Sequence, residues 1–170
     1  MGSNSQNQAT GPTGNGMQIN LYERFNTNEV LRVQEAWAQA VIDQDAEALL
    51  GLYDFDREGG PILFKPTLSM DIRTDRPGTE SYFIGGDPRY AYDKGFLNHG
   101  WVSVRFESAA GPVFEAGGRA CVDMGQYVFE TPDGEFVRAD YTFSYHKPNG
   151  AILITLHHSS LVWAPDPEGH

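Results

Sequence analysis

Residues 135–163 read EFVRADYTFSYHKPNGAILITLHHSSLVW, and the reading of this stretch decides the fold. Lys147-Pro148-Asn149-Gly150 stands between two runs rich in aromatic and β-branched residues. Asn-Gly in that setting is a strong hairpin signal, because both residues tolerate positive φ. Two long antiparallel strands are therefore expected. The second is apolar on both faces: alternation puts Ile152, Ile154 and Leu156 on one side and Ala151 and Leu153 on the other. A helix can cover one face, and a second copy of the chain is the economical cover for the other. That makes Ala151, Ile152, Leu153, Ile154 and Leu156 the expected oligomer interface. His157, His158, Ser159 and Ser160 follow where the apolar run stops, and chemistry is sought there.

Upstream of the hairpin, Trp101 to Phe106 and Arg119 to Glu130 alternate as strands, with turns at Gly117-Gly118 and at Thr131-Pro132-Asp133-Gly134. The first part of the chain is helical instead. Asn26 and Glu29 have the spacing of a capping box, and Val30, Val33, Trp37, Ala40 and Val41 then form one stripe of a helix running to about Asp43. Asp45 caps a second helix over Ala46 to Tyr53. Pro61 to Pro66 reads as a short strand, Pro77 opens a third helix, and residues 85–100 read as a long loop. Helices first and a meander afterwards define an α+β domain, N-terminal helices packed on a strongly curved antiparallel sheet. Residues 1–18 hold almost nothing to bury and are expected to be a disordered tail. A single domain is expected over 19–165, with a short C-terminal tail at 166–170.

The totals exclude several classes of function. With 23 acidic against 12 basic residues and a net charge of -11, the surface is a poor match for nucleic acid or an anionic membrane. One cysteine, Cys121, allows no intrachain disulfide and suits a reducing compartment. No apolar stretch approaches the roughly 20 residues of a membrane span, and no signal pattern opens the chain, so a cytoplasmic location is expected. Adjacent strand residues point to opposite faces, so His157 and His158 cannot share one ion, and no metal site is expected. No phosphate-binding Gly loop is present, and no cofactor is implied.

The segments VQEAWAQAVIDQDAEALLGLY, FKPTLSMDIRTDR, GTESYF, RADYTFSYHKPNG and HHSS, in this order, resemble the association, or hub, domain of calcium/calmodulin-dependent protein kinase II and its stand-alone relatives. The likeness runs from about Asn26 to Pro165. It implies the cone-like fold of the nuclear transport factor 2 type, a deep pocket between helix and sheet, and self-association into a two-tiered ring of twelve or more subunits. Kinase-bearing hub subunits are then conceivable partners, although this chain carries neither a kinase sequence nor a calmodulin-binding helix. The animal hub pocket carries arginines near the places held here by Gln126 and Phe143, whereas Arg73 and Arg138 fit the stand-alone relatives.

Two functions are expected to compete. The first is a hub-like scaffold, not an enzyme, whose pocket of Arg73, Arg138, Tyr141, His158 and Trp37 takes a small carboxylate. Against that pocket, an aromatic in a helical stripe such as Trp37 is more often core, and strict alternation separates Arg138 from Tyr141. The second is a cone-fold isomerase, dehydratase or hydrolase with His158 as base and Arg138 or Tyr141 orienting it. Asp123 and Asp140 are the other late-strand candidates, and both are expected at the solvated surface.

Overall fold

The computed structural model describes residues 24–165; the expected tails at 1–18 and 166–170 lie outside the described residues. Helix α1 (Thr27–Ile42) opens on the reciprocal capping box of Asn26 and Glu29, and its buried face carries Val30, Trp37, Ala40 and Val41. Helix α2 (Ala46–Leu50), capped by Asp45, is shorter than the spacing suggests. After it, Leu52 to Asp54 leave helical geometry and bond to the backbone of Ile154. Strand β1 (Leu63–Lys65) follows, then α3 (Arg76–Ile84) with Asp75 as cap and Pro77 in its first turn. The expected loop at 85–100 contains two 3-10 turns, Pro88–Tyr90 and Phe96–His99.

Strands β2 (Ser103–Ser108), β3 (Val113–Phe114), β4 (Ala120–Glu130), β5 (Phe136–His146) and β6 (Leu153–Leu161) complete the molecule. The sheet order is β1-β6-β5-β4-β2, with β3 also pairing β4. It is mixed rather than wholly antiparallel, because β1 joins β6 in parallel. The fold is an α+β cone. The β5-β6 hairpin turns as the Asn-Gly pair requires, with Asn149 and Gly150 both at positive φ.

One irregularity decides what the cone contains. Ser144 pairs with Leu156 but Tyr145 pairs with Ile154, so Thr155 is an extra residue, a β-bulge in β6. On its other side, β6 changes neighbour at the same place, from Leu52 and Asp54 to β1. The bulge reverses the parity of the strand. Ile154 points inward, and beyond the bulge so do His157 and Ser159, while Leu156 and His158 point outward. This corrects the simple alternation that put Ile154 and Leu156 on one face. It also corrects the expected interface: Ile154 belongs to the chain's own core and Ile152 packs against that core. Ala151 is exposed, and Leu153 and Leu156 are half-buried.

Candidate functional site

The interior of the cone is a packed set of aromatic rings with two polar islands. The first island is built on the inward residues of β6. His157 is 2 % exposed and lies flat between Phe143, 4.1 Å away centre to centre, and Phe64 at 4.7 Å. Its Nδ1 meets the Tyr53 hydroxyl at 2.8 Å and its Nε2 the Tyr127 hydroxyl at 3.3 Å. The Tyr127 hydroxyl also donates to Ser159 Oγ, and Ser159 Oγ is hydrogen-bonded to Thr67 Oγ1. Thr67 stands on the turn after β1, where Lys65 Nζ donates to the carbonyls of Pro66 and Ser69 and so braces the two residues between them.

Burial, with a smaller contribution from His158, lowers the His157 pKa to about 3, so its imidazole is neutral near neutral pH. Burial also raises the Tyr82 phenol to about 12, against opposing hydrogen bonds involving Thr67 and Leu68. Tyr127 is pushed up in the same way. Thr67, Tyr82, Tyr127, His157 and Ser159 line a small cavity, roofed by Phe96, that leaves only about 10 Å³ for the centre of a water molecule. A molecule near the size of water fits there. The arrangement offers several neutral hydroxyl donors, no charged group, and walls that exclude bulk water.

The second island surrounds Asp123, which is buried rather than solvated as expected. It lies on the inward face of β4 and accepts from Gln34 Nε2 at 2.6 Å, Tyr141 Oη at 2.9 Å and Ser108 Oγ at 2.5 Å. Three donors satisfy the carboxylate without a cation. Asp140 points outward and accepts from Gln126.

The residues expected to form one pocket are not brought together as a set; only Tyr141 and His158 border a common hollow. Arg138 lies on the outer face, 46 % exposed at its side chain, and pairs with Glu107 at 2.7 Å. Tyr141 is inside, because β5 pairs with β4 without a bulge over its whole length. His158 lines an open hollow of about 610 Å³ on the outer face, with Glu107, Gln126, Asp140 and Ser160. Arg73 is fully buried, but its Nη2 is engaged by Asp93 and Ser69, both at 3.0 Å, and its guanidinium lies 3.3 Å from the centre of the Tyr90 ring. It pins the 85–100 segment to the chain after β1. Trp37 is a cavity wall whose Nε1 donates to the Tyr53 hydroxyl at 3.1 Å. Sequence reasoning found the HHSS run but missed Thr67, Tyr53, Tyr82 and Tyr127. Cys121 is buried in the core, its thiol raised to about 12 by burial, and so is no nucleophile at neutral pH. Among the described residues no group of three or more His, Cys, Asp or Glu side chains could hold a metal ion, and no helix is long and apolar enough to cross a membrane.

A curved sheet closed by helices around such a cavity is the architecture of the nuclear transport factor 2-like class. A protein of that class from Shewanella oneidensis, 13 % identical, has a TM-score of 0.59 over 79 % of this chain and 98 % of its own. Within the class the family is specific. A family model for metal-independent carbonic anhydrase matches residues 28–161. A metal-independent carbonic anhydrase of Nostoc sp. strain PCC 7120 is 34 % identical over 153 residues, 80 % of this chain and 73 % of that protein. The chain belongs to the metal-independent carbonic anhydrase family. An iota-carbonic anhydrase from a cyanobacterium, solved in complex with bicarbonate, is 29 % identical with a TM-score of 0.72, covering 83 % of this chain and 94 % of that one.

These matches overturn the expected hub. A putative calcium/calmodulin-dependent protein kinase II association domain from Xanthomonas campestris is also similar, 26 % identical with a TM-score of 0.62 over 81 % of this chain and 89 % of that one. The resemblance in sequence therefore identified the superfamily but not the family. A scaffold that is not an enzyme is the wrong reading for a member of a carbonic anhydrase family. The two-tiered ring and the kinase-bearing partners rested on the hub resemblance and are not carried to this chain.

Proposed function

We propose that this chain catalyses the reversible hydration of carbon dioxide to bicarbonate, with the hydroxyl cluster at Ser159 as its site. The observation that carries the reading is the set Thr67, Ser159 and Tyr127, backed by neutral His157, gathered at one aromatic-walled cavity. Family membership supports it, as does the bicarbonate bound by the cyanobacterial relative. Bicarbonate is also a small carboxylate-like anion, the ligand class expected from the sequence, although the arginines expected to bind it lie elsewhere.

In the hydration direction a water attacks the carbon of CO₂, and negative charge develops on the oxygens that become bicarbonate. The hydroxyls of Thr67, Ser159 and Tyr127 form one hydrogen-bonded array facing that charge, and the proton at its free end is the donor that meets it. The aromatic walls exclude bulk water and so strengthen each of these bonds. None of these groups is a strong base near neutral pH, because burial keeps His157 from accepting a proton and the phenols from losing one. Catalysis then rests on orientation and on hydrogen bonds that tighten as charge develops. The proton released passes to solvent buffer.

Stopped-flow CO₂ hydration with a pH indicator tests the reading. The wild-type chain is expected to exceed the buffer rate, and Thr67→Val or Ser159→Ala to lower kcat/KM by roughly a hundredfold, the loss typical of one such donor. Arg138→Ala, on the outer face, should leave the rate unchanged. A wild-type rate no greater than that of buffer alone refutes the proposal.

A further inference from the structure

From the cavity the hydrogen bonds continue to Tyr53, which the proposed chemistry does not use, and through it to the indole nitrogen of the wall residue Trp37. Tyr53 is 4 % exposed and does not line the cavity. Its hydroxyl has two partners, Trp37 Nε1 at 3.1 Å and His157 Nδ1 at 2.8 Å. An indole nitrogen can only donate, so the Tyr53 oxygen accepts from Trp37. If Nδ1 carried a proton as well, the Tyr53 oxygen would accept twice and its own proton would be buried without an acceptor, which is costly. The satisfied arrangement has Tyr53 donating to Nδ1. Neutral His157 then bears its proton on Nε2, and that proton faces the Tyr127 hydroxyl.

We infer that Tyr53 and Trp37 are positioning residues, which fix His157 in its Nε2–H form and thereby set the direction of the whole hydroxyl array. The direction follows step by step. Because Tyr127 accepts from His157, its own proton goes to Ser159. Ser159 in turn donates to Thr67, and the Thr67 proton is left for the Tyr82 oxygen or for whatever occupies the cavity. The other tautomer would leave Nε2 as an acceptor for the Tyr127 proton. Tyr127 would then no longer donate to Ser159, and nothing would fix the direction of the Ser159–Thr67 bond. The backbone supports the juxtaposition, since Tyr53 forms a bridge with Ile154 beside the bulge, and so the same irregularity brings His157 inward and Tyr53 beneath it.

The inference rests on the proposed hydration reading for its effect on rate, but not for the tautomer. Nitrogen NMR of the wild-type chain labelled with ¹⁵N-histidine tests it first. His157 should show an unprotonated Nδ1 and a protonated Nε2, and a protonated Nδ1 overturns the inference whether or not the chain hydrates CO₂. Tyr53→Phe should then give a mixed or reversed tautomer and lower kcat about tenfold, the size of effect seen when a partner that orients an imidazole is lost, with little change in KM. Trp37→Phe removes the indole donor that obliges Tyr53 to donate to Nδ1, and its tautomer serves as the readout if the tyrosine variant does not fold. Both variants retaining the wild-type tautomer and kcat would show that the pair only packs. If the wild-type tautomer is as inferred but the chain lacks hydration activity, it is the proposed function that fails, and with it the catalytic meaning of the array.

Discussion

A histidine buried in its neutral form ties folding to pH, and His157 is the residue at which this chain should show it. Its folded pKa of about 3 lies below the 6.5 of the free side chain, mainly because burial penalises the imidazolium. The unfolded chain therefore takes up a proton between these values that the folded chain refuses. Stability from this residue is complete above about pH 6.5 and is lost as the pH falls towards 3, on the order of 1 kcal/mol for each pH unit. Denaturation midpoints measured across that range should fall more steeply for the wild-type chain than for His157→Gln, even if the variant is less stable at neutral pH. Parallel curves would show that the imidazole is not held neutral. The residue types of this site were legible in the sequence, since HHSS stands out at the end of an apolar run. Which histidine turns inward was not, because the answer depends on a bulge two residues earlier.

Elements were legible where their signals are local. The capping box at Asn26, the Asp45 cap, Pro77 near the start of α3 and the Asn-Gly turn all involve residues within four positions of each other, and each marks a boundary close to the observed one. The Thr155 bulge has no such signal. It sits where β6 exchanges one neighbour for another, and those neighbours come from residues some 90 to 100 positions earlier, around Leu52 to Asp54 and Leu63 to Lys65. The close approach of β2 to β4 is equally non-local. A Cβ on Gly125 would stand 2.2 Å from the Glu107 carbonyl oxygen and 2.8 Å from Ser108 Cα. Both are backbone atoms, so no side chain can swing aside to make room. Gly125→Ala is accordingly expected to push β2 outward and to lower stability by about 1–3 kcal/mol, the usual cost of overpacking. Urea unfolding measures it, and a variant within experimental error of wild type would mean that β2 yields freely. Because Ser108 also donates to Asp123, the displacement should reach the second polar island.

For the whole molecule, the sequence led to the right architecture and the wrong occupation, and the physical reason is that one cone serves both. The pattern shared with hub domains consists largely of residues that build helix, sheet and core: Trp37 in the helical stripe, Phe64 at the start of FKPTLSMDIRTDR, and Tyr141 and Phe143 in β5. Such residues specify a cavity without specifying its chemistry. The chemistry lies in what fills it, here the hydroxyls of Thr67, Tyr127 and Ser159 around an uncharged imidazole. That content bears directly on metal dependence. Carbonic anhydrase chemistry at a zinc centre draws its nucleophile from a metal-bound water held by clustered ligands, whereas the imidazole in this cavity already has both nitrogens engaged, by Tyr53 and Tyr127. His158 faces away from it across the sheet, and the Asp123 carboxylate is saturated by its own three donors. Exhaustive dialysis against a chelator should therefore leave CO₂ hydration at its starting rate, and added zinc should not raise it. A loss of about tenfold or more that zinc restores would place a metal in the reaction, and the hydroxyl array would then be its support rather than the catalyst.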